Sequence, residues 1–295
     1  MEKIQKALQK SLSSEEARAR SGGLPSWPQR TSTETPDPQV VPAGAPKRRA
    51  ADPAEISYTR TRVAPISEKV LEKRRLIAGL EDHALTDTFR ILRTRVLNRM
   101  EERGYRTLGV VSSVGQEGKS LVASNLALSL ANILTRTVLL VDLDLRAPSV
   151  HSYFGIDPEP GLLGYLREGR ELSACLVNPG IDRLVLLPNG RPVRSSSELL
   201  TMPRMLGLSR ELRETYKDRV IIYDLPPLLH TDDALAFLQY LDCCLLVTSE
   251  GHTKEHELKQ AVTLLKGYPL IGTVVNRSSE SPKHVKKSRM TRMTR

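Results

Sequence analysis

No apolar run in this sequence approaches the roughly 18 residues that a membrane-spanning helix requires. Its opening, MEKIQKALQK, lacks the continuous apolar core of a secretory signal. Both absences lead to the expectation of a cytoplasmic protein. Cysteine is scarce: Cys175 and the adjacent Cys243 and Cys244 form neither a disulfide framework nor a CxxC pattern, so they read as small core residues in a reducing compartment. No internal repeat is present. A basic face is missing as well, despite a net charge of +10. Residues 1–80 carry 15 Lys+Arg against 9 Asp+Glu and residues 281–295 carry 6 against none, whereas residues 81–280 carry 23 against 25. The nearly neutral middle argues against nucleic-acid binding by the fold. The basic ends point to an acidic partner or an anionic membrane surface.

Residues 13–66 include LPSWPQRTSTETPDPQVVPAGAPKRRAADP, rich in Pro, Ser, Thr and charge; such a segment cannot repay its ordering entropy and reads as a disordered linker. Ahead of it, Ile4, Ala7, Leu8 and Leu12 share one face at helical spacing, which fits either a short docking helix or a tail with a chance stripe. The expected division is therefore residues 1–66 as short helix and linker, 67–280 as the folded domain, and 281–295 as a basic tail. Within the domain, DHALTDTFRILRTRVLNRMEE puts Leu85, Phe89, Leu92, Val96 and Leu97 on one face of a helix and arginines on the other. Apolar runs follow at 107–113, 137–142, 184–188, 220–224, 243–249 and 270–276. They alternate with helix-patterned segments, notably SLVASNLALSLANIL, SELLTMPRMLGLSRELRETY and TKEHELKQAVTLLKG. Continuous apolar strands between amphipathic helices predict an α/β fold, a mostly parallel twisted sheet with helices on both faces.

The stretch VVSSVGQEGKS, residues 110–120, ends as a phosphate-binding loop does, although Ser113 stands where GxxxxGK[ST] has its first glycine. A strand precedes it and a helix follows. Backbone N–H groups across Gly115, Gln116, Glu117, Gly118, Lys119, Ser120 and Leu121 are then expected to converge on phosphate oxygens. Gly118 permits close approach, Lys119 reaches the outer phosphates, and the Ser120 hydroxyl is a Mg²⁺ ligand. In VLLVDLDLR, Asp142 and Asp144 lie at the end of a buried strand, where ligands of open parallel sheets bind. Carboxylates there need a compensating cation, which Mg²⁺ supplies, and Asp142 is also placed to take a proton from an attacking hydroxyl. Asp224, in VIIYDLPPLL, fits a third acidic position that holds Mg²⁺, with Pro226 and Pro227 stopping the strand. Asn276 ends the last strand, either to pair with an adenine edge or to form a turn.

GQEGKS, VLLVDLDLR and VIIYDLPPLL, in this order and spacing, resemble the phosphate loop, DxDxR and DxPP motifs of the bacterial tyrosine kinases that accompany capsular and exopolysaccharide synthesis. The likeness extends over about residues 56–277, including FRILRTRV, NGRPVRSSSELLTMPRM and the DDA after the prolines. The opening segment and linker resemble the stand-alone cytosolic members, particularly those found with exosortase-type polysaccharide loci. The resemblance implies a phosphate-loop NTPase fold, Mg-ATP-dependent tyrosine (auto)kinase activity, and a location at the inner face of the plasma membrane. It further implies a separate membrane protein of the chain-length-regulator type as partner. Lys119, Asp142 and Asp144 become the catalytic residues, and Ser120, Asp142 and Asp224 the metal ligands. Asp87, Arg90 and Arg93 stand where the family's ring-forming ExxRxxR helix motif would be, with Asp for Glu, which implies a homo-oligomer. Gln116 replaces a glycine common in the family. The tail SPKHVKKSRMTRMTR lacks the family's tyrosine cluster, so Tyr58, beside the linker, is the expected site of any autophosphorylation. The other readings are a ParA/MinD-type positioning ATPase, whose signature lysine would fall at Val114, and a nucleotide-bound adaptor without kinase turnover.

Overall fold

The computed structural model describes residues 61–80, 83, 85–215 and 218–279. The opening helix, the linker through residue 60 with Tyr58, and the basic tail lie outside the described residues. The described residues all fall in one unit, Pro53–Arg295. Eight strands form a single sheet: β1 (Arg62–Val63), β2 (Thr107–Ser112), β3 (Thr137–Asp142), β4 (Val177–Asn178), β5 (Leu184–Leu187), β6 (Arg219–Asp224), β7 (Cys243–Ser249) and β8 (Leu270–Asn276). Their order is β1-β4-β5-β3-β6-β2-β7-β8, and every pairing is parallel except β4 with β5. The expected α/β architecture is present, and all six strands read from apolar runs are found.

The helices are α1 (Glu68–Lys73), α2 (Thr86–Glu101), α3 (Lys119–Ala131), α4 (Val150–Phe154), α5 (Gly161–Glu168), α6 (Leu172–Cys175), α7 (Ser196–Thr201), α8 (Pro203–Thr215), α9 (Asp233–Leu238) and α10 (Glu255–Leu264). Helix α3 is buried at every residue except Leu121. It packs Val122, Leu126 and Leu130 into a core shared with Leu108 and Val110 of β2, Val138 and Leu140 of β3, and Ile222 of β6. Its polar residues are small or hydrogen-bonded inward, Asn125 to Arg75 O and Leu121 O and Ser129 to Phe89 O, which lets the helix be enclosed on nearly all sides. Strands β2, β5 and β7 are buried along their whole length, both faces being covered.

The structure corrects the sequence reading in three places. Strand β1 lies ahead of the boundary expected at residue 67, inside the segment assigned to the linker. The backbone continues its pairing with Ala64 N–H to Asn178 O (2.8 Å) and Ile66 N–H to Pro179 O (3.1 Å). Two-residue strands such as β1 and β4 carry no periodicity, so only their partners reveal them. The single helix expected over 197–216 is broken at Met202, which is extended (φ −66°, ψ 147°) because the ring of Pro203 disfavours helical geometry in the residue before it. In α2, Leu85 is the exposed N-cap residue and not part of the apolar face. Its arginines do not all face solvent: Arg93 donates to Ser129 O (2.8 Å), and Arg99 reaches Ile271 O on β8.

Candidate functional site

The topology decides which strand ends meet. Strand β6 lies between β2 and β3, with Val110 of β2 opposite Asp224 and Asp142 of β3 opposite Asp224 on the other side. The phosphate loop, the two-aspartate segment and the proline-bearing turn therefore leave the sheet side by side. Leu225 N–H donates to Val110 O (3.0 Å), Leu228 to Ser112 O (2.9 Å) and Leu229 to Ser113 O (3.1 Å), so the turn after β6 runs along the loop. Between them is a cavity of about 350 Å³ lined by Gly115, Gln116, Gly118, Lys119, Ser120, Asp144, Arg146, Tyr153, Pro226, Pro227, His230 and neighbours.

The loop has two left-handed residues, Gln116 (φ 63°) and Gly118 (φ 87°). Gln116 thus keeps the backbone conformation that glycine would adopt freely, at a cost of about 1–2 kcal/mol. Ser113, at the first-glycine position, is fully buried, and its hydroxyl has no hydrogen-bond partner among the described residues. Glu117 turns its side chain inward. Its Oε2 accepts the Val114 N–H (3.0 Å) and its Oε1 the Thr253 hydroxyl, while burial raises its pKa and these donors oppose the rise. His252 Nε2 lies 3.1 Å from Gly115 O. Asn276 Nδ2 donates to Glu117 O (2.9 Å), and its Oδ1 accepts Arg277 N–H (2.9 Å). Asn276 is therefore a brace of the loop, with one N–H and one lone pair left for a base edge. The brace from the β7–α10 connection was invisible in the sequence, because nothing in SEGHTKE marks it until β7 and β2 are seen paired.

Lys119 and Ser120 open α3. The Lys119 ammonium lies 2.8 Å from Asp144 Oδ2, 3.3 Å from Asp224 Oδ1 and 3.1 Å from Ser120 Oγ. Burial lowers its pKa, but Asp224, Asp144 and Asp142 together outweigh that and raise it. Asp224 is fully buried, which raises its pKa against the opposing pull of Lys119 and Ser120, and its Oδ2 lacks a hydrogen-bond partner among the described residues. An orphaned oxygen on a carboxylate that also interacts with the Ser120 hydroxyl suits a hard cation that keeps much of its own hydration. Among the described residues no three His, Cys, Asp or Glu side chains form a metal cluster.

Asp142, expected as metal ligand and base, is placed with its carboxylate against backbone. Its Oδ2 accepts the N–H groups of Ser149 (2.9 Å) and Val150 (3.0 Å) at the start of α4, and its Oδ1 that of Asp144 (3.2 Å). Both oxygens are engaged by backbone, and Asp144, not Asp142, lines the cavity. Burial and then the neighbouring Asp224 push the Asp142 carboxyl well above its usual range. Asp142→Asn turns one end of the acceptor into a donor facing backbone N–H groups, so stability is expected to fall by about 1–3 kcal/mol. Denaturant titration measures this, and an unchanged midpoint would remove the capping role.

Residues that the quoted motifs contain but to which no role was given also arrive here. Arg146 donates through Nε to Asp233 (2.9 Å), the second aspartate of DDA, and Ser196 of the SSSELL segment donates to the same oxygen (2.5 Å). The phenol of half-buried Tyr153 lines the cavity, its pKa raised by burial and then by Asp224.

The comparisons agree with this arrangement. A family model described as the CobQ/CobB/MinD/ParA nucleotide binding domain matches residues 108–292. The tyrosine-protein kinase YwqD of Bacillus subtilis is 30% identical over 208 residues, covering 69% of this chain and 86% of that protein. The tyrosine-protein kinase ptk of Acinetobacter johnsonii is 27% identical over 228 residues, 74% of this chain, but the chain spans only 31% of that relative. Among solved structures, the kinase domain of the Escherichia coli tyrosine kinase ETK superposes with a TM-score of 0.63 at 27% identity, covering 75% of this chain and 92% of that one. The chain thus belongs to the CobQ/CobB/MinD/ParA nucleotide-binding family and, within it, to the bacterial tyrosine kinases.

Proposed function

We propose that the chain is a Mg-ATP-dependent protein-tyrosine kinase, acting on its own copies or on another protein, that regulates the polymerisation or export of a capsular polysaccharide or exopolysaccharide. The observation that carries the reading is the Lys119 ammonium fixed between Asp144 and Asp224 at the N-terminus of α3, with Asp224 Oδ2 left without a partner. Backbone N–H groups from Gly115 to Leu121 bind the phosphates, and Lys119 neutralises charge on the outer ones. Ser120 and Asp224 are the residues to hold Mg²⁺, which when bound supplies positive charge between phosphate oxygens. In transfer, the bond from the terminal phosphorus to the bridging oxygen of ATP breaks as the bond to the tyrosine oxygen forms. Asp144, at the cavity, is better placed than Asp142 to take the tyrosine proton. A positioning-ATPase reading is less favoured, because Val114 stands at its signature lysine and ties its N–H to Glu117.

The proposed partner is a membrane protein of the chain-length-regulator type, met at the cytoplasmic face of the plasma membrane. No helix among the described residues is long and apolar enough to cross a membrane. Self-association is proposed through α2, where Asp87 and Arg90 form an exposed pair (3.1 Å) beside Ile91, while Arg93 is already committed to Ser129 O. Incubation of the full chain with Mg-ATP, with and without the partner's cytosolic segment, followed by phosphotyrosine mapping, tests the reading. Tyr58, beside the linker, is the proposed acceptor because a flexible segment reaches the terminal phosphate in line more easily than a tyrosine packed in the fold, such as the fully buried Tyr223, and Tyr58→Phe should lose most of the incorporated phosphate. Wild-type incorporation on the folded variant rejects that acceptor. ATP turnover with no phosphotyrosine on any protein rejects the kinase reading.

A further inference from the structure

The cavity contains a second cation whose setting is unusual. Arg146 leaves the end of β3 two residues after Asp144, lines the cavity, and has 42% of its side chain exposed. It is held by one contact, Nε to Asp233 Oδ2 at 2.9 Å. Asp233 is fully buried, its Oδ2 also accepts the Ser196 hydroxyl (2.5 Å), and its Oδ1 has no hydrogen-bond partner among the described residues. The irregular segment that leads to Ser196, the first residue of α7, is tied beside the arginine by Val193 N–H to Leu145 O (2.8 Å). Three distant pieces of chain therefore converge to hold one guanidinium.

A buried carboxylate with an unsatisfied oxygen is costly, and a surface arginine gains little from an ion pair alone. What this arrangement secures is orientation. Gripping the guanidinium by Nε leaves both terminal nitrogens without a hydrogen bond among the described residues, and they form the half of the fork best matched to phosphate oxygens. Asp144 touches the ammonium of Lys119, the group that reaches the outer phosphates, so Arg146 stands on the outer-phosphate side of the cavity.

We propose that Arg146, held through Nε by Asp233 and Ser196, reads the terminal phosphoryl group of a bound nucleoside triphosphate, so that this trio sets the preference for triphosphate over diphosphate. The proposal rests on the nucleotide-site reading above. Arg146 is the binding residue; Asp233 and Ser196 are positioning residues.

The test measures affinity of the full chain, with Mg²⁺, for ADP and for the β,γ-imido analogue of ATP. Losing a charge-assisted contact in Arg146→Ala is expected to weaken the analogue by about 10- to 100-fold, with ADP changed by no more than about 2-fold. Ser196→Ala is expected to move the same ratio by about 3- to 10-fold, and Ser196→Thr, which keeps the hydroxyl, to restore it. Asp233→Asn should behave like Ser196→Ala; if it does not fold, Ser196→Ala carries the test alone. An unchanged ratio in Arg146→Ala and Ser196→Ala overturns the proposal while leaving the nucleotide site standing. A lowered melting temperature in Ser196→Ala with the ratio intact would make the trio structural and also overturns it. Failure of the wild type to bind either nucleotide overturns both readings together.

Discussion

Lys119→Met is expected to lower ATP turnover by about 10²- to 10³-fold, the scale for removing one preorganised charge from a phosphoryl-transfer site. It should also destabilise the protein, because Lys119 is the cation bonded to both Asp144 and Asp224. Breaking a buried pair from one side costs about 3–5 kcal/mol near neutral pH. Asp142 and Asp224 already have raised pKa values through burial, and losing the ammonium raises them further. A carboxyl whose folded pKa exceeds its unfolded value contributes stability that is fully present below the unfolded value and lost as pH rises through the folded one. The variant should therefore be most stable in acid and lose stability towards neutrality more steeply than the wild type. Denaturant unfolding over a pH series in the absence of Mg²⁺ checks this. Parallel curves for the two proteins would show that Lys119 is not the countercharge, and unchanged turnover in the folded variant would sink its catalytic role.

The second large effect is expected at Gly118. A Cβ built there would lie 2.1 Å from Asn276 Nδ2, and the residue's φ is +87°. Gly118→Ala thus combines a left-handed penalty of about 1–2 kcal/mol with loss of the Asn276 brace on Glu117, worth about 1 kcal/mol more. If the loop shifts to relieve the clash, its N–H groups leave the phosphate geometry, and nucleotide affinity is expected to fall by about 10-fold or more. Calorimetric titration with Mg-ADP measures the loss. Gly207→Ala is the matched control, since that exposed glycine lies inside α8 with open space at its Cβ, and the change should be neutral or stabilising by about 0.5–1 kcal/mol. Equal affinity in wild type and Gly118→Ala would mean that the loop does not hold phosphate in this conformation.

The sequence by itself determined six of the sheet's strands and the loop. Strands buried on both faces must be continuous apolar runs, so TVLLVD and CCLLVTS announce themselves, and a glycine-bearing turn between such a strand and an apolar helix marks a phosphate site wherever the strands lie. It also located Lys119 and Ser120 at a helix start and Asp144 and Asp224 at or just past strand ends, because residues at element ends need no knowledge of neighbours to be found. Only the tertiary structure decided what each carboxylate faces. Asp142 and Asp144 are two residues apart and share a strand end, yet the first turns its oxygens to the backbone of α4 and the second to Lys119. Strand pairing likewise brought Thr253 and Asn276 to the loop, and Ser196 and Asp233 to Arg146. Those contacts join residues 37 to 159 positions apart. Hydrogen bonds of that separation leave no periodic trace in the chain, since their partners are chosen by the order of strands in the sheet and not by neighbouring residues.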